Sequence, residues 1–225
     1  MPLARIGQVV LFFVHIPKTG GSSIEQYLAE VGQVCLVTRR ATGFSTVTPQ
    51  HMERETYESY IPAAFYDHGF AILRDPVERL LSEFRHQATM SKPHHKVMHH
   101  LRLPGSARRT AVAAKAEGFV WRNDFDGWVT AILSACKANP FICDNHIRPQ
   151  ADFVSPGHRL FDFGNGLDPV VRWIDEVAGI AGGAGPAPHQ KRTARTPVAI
   201  SDATRERIAQ FYAQDYALIA NLHTS

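Results

Sequence analysis

Val9-Val10-Leu11-Phe12-Phe13-Val14-His15-Ile16-Pro17-Lys18-Thr19-Gly20-Gly21-Ser22-Ser23 is the stretch that decides how this chain folds. The apolar run predicts a buried strand over 9–16, and the pattern from Ile24 to Val31 predicts a helix over 22–31. Between the two, Gly20 and Gly21 let the backbone bend close to a ligand with no Cβ in the way. The helix that follows offers its unpaired N–H groups and the positive end of its dipole to whatever occupies the bend. With the hydroxyls of Thr19, Ser22 and Ser23 and the ammonium of Lys18 alongside, the segment reads as a phosphate cradle. The common phosphate loop has its lysine after the glycines, at the start of the helix. Here Lys18 precedes both glycines, which places its charge on the strand side, beside a bridging oxygen rather than a terminal phosphate.

A second segment repeats the strand-to-helix pattern. Phe70-Ala71-Ile72-Leu73 predicts a buried strand over 70–74, and Asp75, Pro76 and Glu78 supply an N-cap, a first helical residue and a capping box for a helix over 76–90. Val77, Leu80, Leu81 and Phe84 form its apolar stripe, leaving Arg79, Ser82 and His86 on the opposite face. Arg74 at the strand end and Ser82 two turns into the helix are placed to grip a second anionic group.

Together the two segments resemble the sulfotransferases that use 3′-phosphoadenosine 5′-phosphosulfate (PAPS), in particular the Golgi heparan sulfate and related carbohydrate enzymes and their bacterial relatives. The first segment is similar to that family's 5′-phosphosulfate loop and the second to its 3′-phosphate motif; Ile72 to His86 looks especially like the heparan sulfate 6-O-sulfotransferases. Asn145-His146-Ile147-Arg148-Pro149-Gln150 is similar to an Asn-His-x-x-Pro-Gln segment of several carbohydrate sulfotransferases. The matches span residues 10 to 150. The resemblance implies an α/β fold with a parallel sheet core flanked by helices, P-loop-like, in one sulfotransferase domain over 1–225. It also implies PAPS as sulfate donor, with no metal required, and a hydroxyl acceptor, foremost a carbohydrate.

Composition agrees with one enzyme domain. A chain of 225 residues, 44% hydrophobic, is long enough for a sizeable core, which excludes disordered and collagen-like classes. A net charge of +3 gives no global basic field, so nucleic acid is not an expected partner. The apolar run at 9–16 is too short to span a bilayer and runs into the loop without a cleavage signal. The expectation is a cytoplasmic protein without stable membrane insertion, its oligomeric state left open. Cys35, Cys136 and Cys143 have no metal-like spacing and read as reduced thiols, although Cys136 and Cys143 would be free to pair in an oxidising compartment. Further along, the pattern predicts a short strand at 34–38 and helices at 52–60 and 123–138. It also predicts a helix capped by Asp168-Pro169 through Ala178, a Gly-rich break at 182–186 and a last helix over 201–222 with Ser201 as N-cap.

In-line sulfuryl transfer needs a base beside the acceptor hydroxyl and positive charge on the leaving phosphate. Lys18 is assigned the second task. His51 is the candidate base, because it lies between the two motifs, where the resembled heparan sulfate enzymes carry their catalytic histidine; His68 is its rival. His15, at the end of the first strand, either contacts the phosphosulfate or packs beside it. The family match suggests His146 and Arg148 for the acceptor cleft, with a capped loop and a structural arginine as the alternative, and Arg192, in a late basic loop, for the 3′-phosphate. Residues 92–116 carry six basic residues, four histidines and no acid; they read as a solvated segment, as an acceptor lid or, least readily, as a metal site. Two other functions stay open: a relative that binds nucleotide or glycan without turnover, and a nucleoside-triphosphate phosphotransferase, which would need a metal-binding carboxylate and the usual lysine position.

Overall fold

A computed structural model of the protein describes residues 1–40, 45–90, 124–181 and 197–224. Its centre is a five-stranded sheet of β1 (Leu3–Ile6), β2 (Val9–Val14), β3 (Gln33–Cys35), β4 (His68–Leu73) and β5 (Arg159–Asp162), in the order β3-β1-β2-β4-β5. β2, β4 and β5 are parallel, with Val14 level with Ala71 and Leu73 level with Asp162. β1 runs against both β2 and β3, so the expected parallel core acquires one antiparallel member. β1 was not legible as a strand in the sequence, yet Gly7-Gln8 joins it to β2 as a two-residue hairpin turn, with Gly7 at φ +58°.

Helices cover both faces, and this explains why the strands are apolar without alternation. On one side, Leu11, Phe13, Phe70 and Ile72 pack against α1 (Gly21–Val31) and α5 (Asp168–Ala178) through Ile24, Leu28, Val170, Val171 and Ile174. On the other, Phe12, Val14, Ala71 and Leu73 meet Tyr57 and Ile61, at the end of α2 (Arg54–Tyr60), and Leu218 of α7 (Ala213–Leu222). Full burial of each such Phe or Leu contributes about 1.5–3 kcal/mol. A third cluster joins α3 (Pro76–Met90), α4 (Phe125–Ala138) and α6 (Asp202–Phe211) around Trp128, Phe125, Ile132, Leu80 and Ile208.

Several local expectations change. The single helix expected at 201–222 is two, because Tyr212 breaks it at φ −106°, ψ 29°; its hydroxyl donates to the Ile147 carbonyl at 2.6 Å. Ser201 does cap α6, accepting from Thr204 N–H. Asp168 lies inside the first turn of α5, and Leu167 holds the cap position. All three cysteines are free thiols. Among the described residues, no helix is long and apolar enough to cross a membrane. The stretch 92–116 and Arg192 lie outside the described residues.

Candidate active site

The parallel strands β2 and β4 deliver both anion motifs to one edge of the sheet. After β2, the chain turns through Lys18 at φ +71° and Gly20 at φ +87° into α1. The Thr19 hydroxyl, fully buried, closes the turn by donating to the Ile16 carbonyl at 2.9 Å, while Ser22 stands exposed at the start of α1 and Ser23 is buried. Each glycine is required here. A Cβ on Gly21 would lie 2.2 Å from the His15 ring, and one on Gly20 would lie 2.7 Å from Phe163. A non-glycine residue in the left-handed region costs roughly 1–2 kcal/mol, and Lys18 is held in it by the Arg74 guanidinium, which donates to its carbonyl at 3.1 Å. Arg74 thus ties the second motif to the first. It also lies over the Phe163 ring at 4.8 Å.

At the head of α3, Asp75 caps as expected, its carboxylate accepting from Glu78 N–H at 2.9 Å, whereas the Glu78 carboxylate lies 3.5 Å from Arg74. Ser82 is half-buried on α3. Arg79, expected on an open face, is instead 1% exposed and donates to three carbonyls: Pro17 at 3.0 Å, Arg148 at 2.9 Å and His146 at 3.0 Å. The helical period shows only which face is apolar. Here the opposite face is covered too, by the loop after β2 and by residues 146–148, and a buried guanidinium survives because main-chain oxygens satisfy it.

Three histidines line up beneath the cradle, each paired with a carboxylate. His15 Nδ1 is 2.7 Å from Glu25 Oε1, His51 Nδ1 is 2.7 Å from Asp144 Oδ2, and His146 Nδ1 is 2.7 Å from Glu83 Oε2. The His51 ring sits edge-on between the other two, at 5.1 Å from His15 and 5.0 Å from His146. His15 touches the loop through Gly21, and Glu83 reaches it through Lys18 Nζ at 3.9 Å. Gln50 Nε2 completes the first pair by donating to Glu25.

Burial pushes His51 down to about 3 against the opposing pull of Asp144, so its ring is neutral near pH 7. Burial would raise Asp144, but its hydrogen bond with His51 and the neighbouring imidazoles hold it well below the usual carboxylate range. An ionised carboxylate only accepts, so the His51 proton sits on Nδ1 and Nε2 keeps a bare lone pair. Thr48 fixes Asp144 from behind, its N–H donating to Oδ1 at 2.7 Å and its hydroxyl to Oδ2 at 2.8 Å. Glu83, although buried, is likewise held down to about 2 by His146, Lys18 and His86.

Asp144 reaches His51 through an unusual backbone. Cys143, Asp144 and Asn145 lie in succession at φ +52°, +57° and +63°. At roughly 1–2 kcal/mol per residue, such a left-handed run persists only where its surroundings hold it. Asn145 supplies part of that hold, donating from Nδ2 to the His51 carbonyl at 2.9 Å and to Glu53 Oε2 at 3.0 Å. The rest of the Asn145–Gln150 segment locks other elements. Gln150 brackets Arg74, accepting from its N–H at 2.9 Å and donating to its carbonyl at 2.8 Å. Arg148, expected in an acceptor cleft, spends its guanidinium on Asp152 at 3.0 Å, Glu53 at 3.8 Å and the Phe141 ring.

The structure separates the two candidate bases. His68 opens β4 level with Leu11, edge-on to Trp173, about 17 Å of strand away from the end that carries the cradle. His51, His15, His146, Lys18 and Arg74 come together. Sequence reasoning missed Glu25, Glu83 and Asp144, whose partners lie 10, 63 and 93 residues away.

A loop that sets a helix N-terminus and a lysine beside a neutral imidazole with a bare nitrogen has the geometry that group transfer from an anionic donor needs. The profile of the sulfotransferase family matches residues 4–219, nearly the whole chain, and the protein belongs to that family. It is accordingly a transferase of the sulfuryl-transfer class. No curated protein and no solved structure gives a significant match.

Proposed function

We propose that this protein transfers the sulfuryl group of PAPS to a hydroxyl of a carbohydrate acceptor, with His51 as general base. The observation that carries the reading is the pairing of the buried His51 with Asp144, held by a strained left-handed turn within two ring contacts of the phosphate cradle. In this reading Gly20, Gly21, Ser22, Ser23 and the start of α1 take the 5′-phosphosulfate, with Thr19 shaping the turn. Arg74 and Ser82 take the 3′-phosphate, and Arg192 extends that group. His51 Nε2 accepts the acceptor proton as the hydroxyl oxygen attacks sulfur, and Asp144 steadies the imidazolium that forms. The bond from sulfur to the bridging oxygen breaks in line, and Lys18 neutralises the charge that grows on the leaving phosphate. His146, its Nδ1 committed to Glu83, lines the acceptor side.

Adenosine 3′,5′-bisphosphate, titrated calorimetrically without metal, is expected to bind, and to lose affinity in Arg74→Ala and Ser82→Ala. Transfer of radiolabelled sulfate from PAPS across an acceptor panel then identifies the hydroxyl. Preference for ATP with magnesium overturns the donor assignment. Bisphosphate binding with no transfer to any acceptor favours a relative that binds without turnover. Sulfation of lipid or small-molecule alcohols alone, with glycans untouched, overturns the carbohydrate assignment and leaves the donor reading intact.

A further inference from the structure

The cluster around His51 has a second chemical capacity. His51, Asp144 and His146 each offer one ligand atom, and these three atoms lie within 4.8 Å of one another. We propose that they form a binding site for a divalent transition-metal cation of the zinc class, and that its occupancy silences the transfer reaction. The site itself stands independently of the transfer reading; only the silencing rests on it.

Two imidazoles and one carboxylate suit zinc, whereas magnesium and calcium favour all-oxygen shells. Metal–ligand bonds of about 2.0–2.2 Å place neighbouring ligand atoms roughly 3.4 Å apart, so the widest pair closes by at most about 1.4 Å. The supporting shell is already built. Glu83 Oε2 backs His146 at Nδ1, and the Thr48 N–H and hydroxyl hold the two oxygens of Asp144. A carboxylate behind a histidine is the arrangement that orients metal-bound imidazoles and raises their basicity. The buried carboxylates of Glu83 and Glu25 add negative charge beside the cluster, with Lys18 Nζ 3.9 Å from Glu83 and Arg39 3.6 Å from Glu25. A cation shared by His51 and Asp144 takes Nδ1 and displaces the proton that Asp144 accepts there, so the neutral ring carries its proton on Nε2 and His51 is unable to serve as base.

The decisive experiment is zinc binding by the full-length protein, measured by competition with a chromogenic chelator. It is run in a background where His94, His95, His99 and His100 are changed to Gln, which removes the separate histidine-rich stretch. One equivalent is expected at pH 7.5, with a dissociation constant on the order of micromolar. His146→Ala and Asp144→Asn should each weaken it at least about tenfold, and Glu83→Gln, which only backs a ligand, by about tenfold. Circular dichroism identifies the variants that keep the parent fold, and the side chains of Asp144 and His146 are both partly exposed. Absence of stoichiometric binding, or affinity unmoved in both His146→Ala and Asp144→Asn, overturns the site. For the silencing, one equivalent of zinc should lower sulfate transfer from PAPS at least about tenfold, with recovery on chelation. Full activity with zinc bound overturns the silencing alone.

Discussion

In the proposed mechanism the donor side and the base side of the site are built in opposite ways. The cradle from His15 to Ser23 is continuous chain, a strand, a turn and a helix in sequence, and its two glycines are fixed by contacts of 2.2 and 2.7 Å that a Cβ would make. The base side is assembled from pieces far apart in the chain. His51 sits in a short 3-10 turn over Pro49–His51, and its carboxylate arrives from a left-handed turn 93 residues later. A continuous cradle depends on its own backbone geometry; an assembled base depends on every segment that holds it. The two sides are joined by Arg74, Arg79 and Glu83, each of which touches both the loop and the segment at 146–150 or its partners.

This contrast predicts different failures. The largest effect is expected from His51→Ala, which should lower turnover by about 10²–10⁴ while bisphosphate binding stays near wild type. A parallel loss of binding would show that the two sides are not separable. Lys18→Ala should cut turnover by about 10²–10³, again more than it weakens the bisphosphate, as steady-state kinetics beside calorimetry will show.

Gly21→Ala reverses the pattern, because its new methyl meets the His15 ring. It should cost about 1–3 kcal/mol of stability in urea melts and weaken bisphosphate binding together. Arg79→Met tests the joint between the sides. Leaving one buried and two half-buried carbonyls without their donor should cost about 1–3 kcal/mol, and turnover should fall further than donor affinity. His68→Ala is expected to leave turnover within about twofold, since it stands at the far end of β4. A large effect there would return His68 to contention as the base.

Much of the backbone around the two motifs was readable in advance. The strand, the turn and helix α1 appear where the apolar run and the glycines place them, and Asp75 caps α3. Local rules sufficed because each of these features is decided within a few residues. β1 and β5 escaped because Leu3-Ala4-Arg5-Ile6 and Arg159-Leu160-Phe161-Asp162 are short and broken by charged residues, whereas the still shorter β3 overlaps the apolar run from Val34 to Val37. Tyr212 breaks the last helix for a reason no helical pattern contains, a hydroxyl drawn to the Ile147 carbonyl.

The Asn145–Gln150 segment shows where legibility stops. Its residues stood out, but their assignments did not follow: Asn145 holds the His51 carbonyl, Gln150 brackets Arg74, and Arg148 turns to Asp152 and Glu53. Asp144, one residue earlier, carried no signal. A lone Asp beside Asn is an ordinary turn residue until tertiary contact puts it against a buried imidazole.

What the sequence determined by itself is therefore the loop from His15 to Ser23: a glycine bend, a lysine and a helix start, whose geometry is local and whose charge is written in the side chains. What only the tertiary structure decided is the environment of His51. Whether a histidine is neutral, which nitrogen bears its proton and what carboxylate orients it depend on burial and on partners brought together by folding, and no local pattern encodes either.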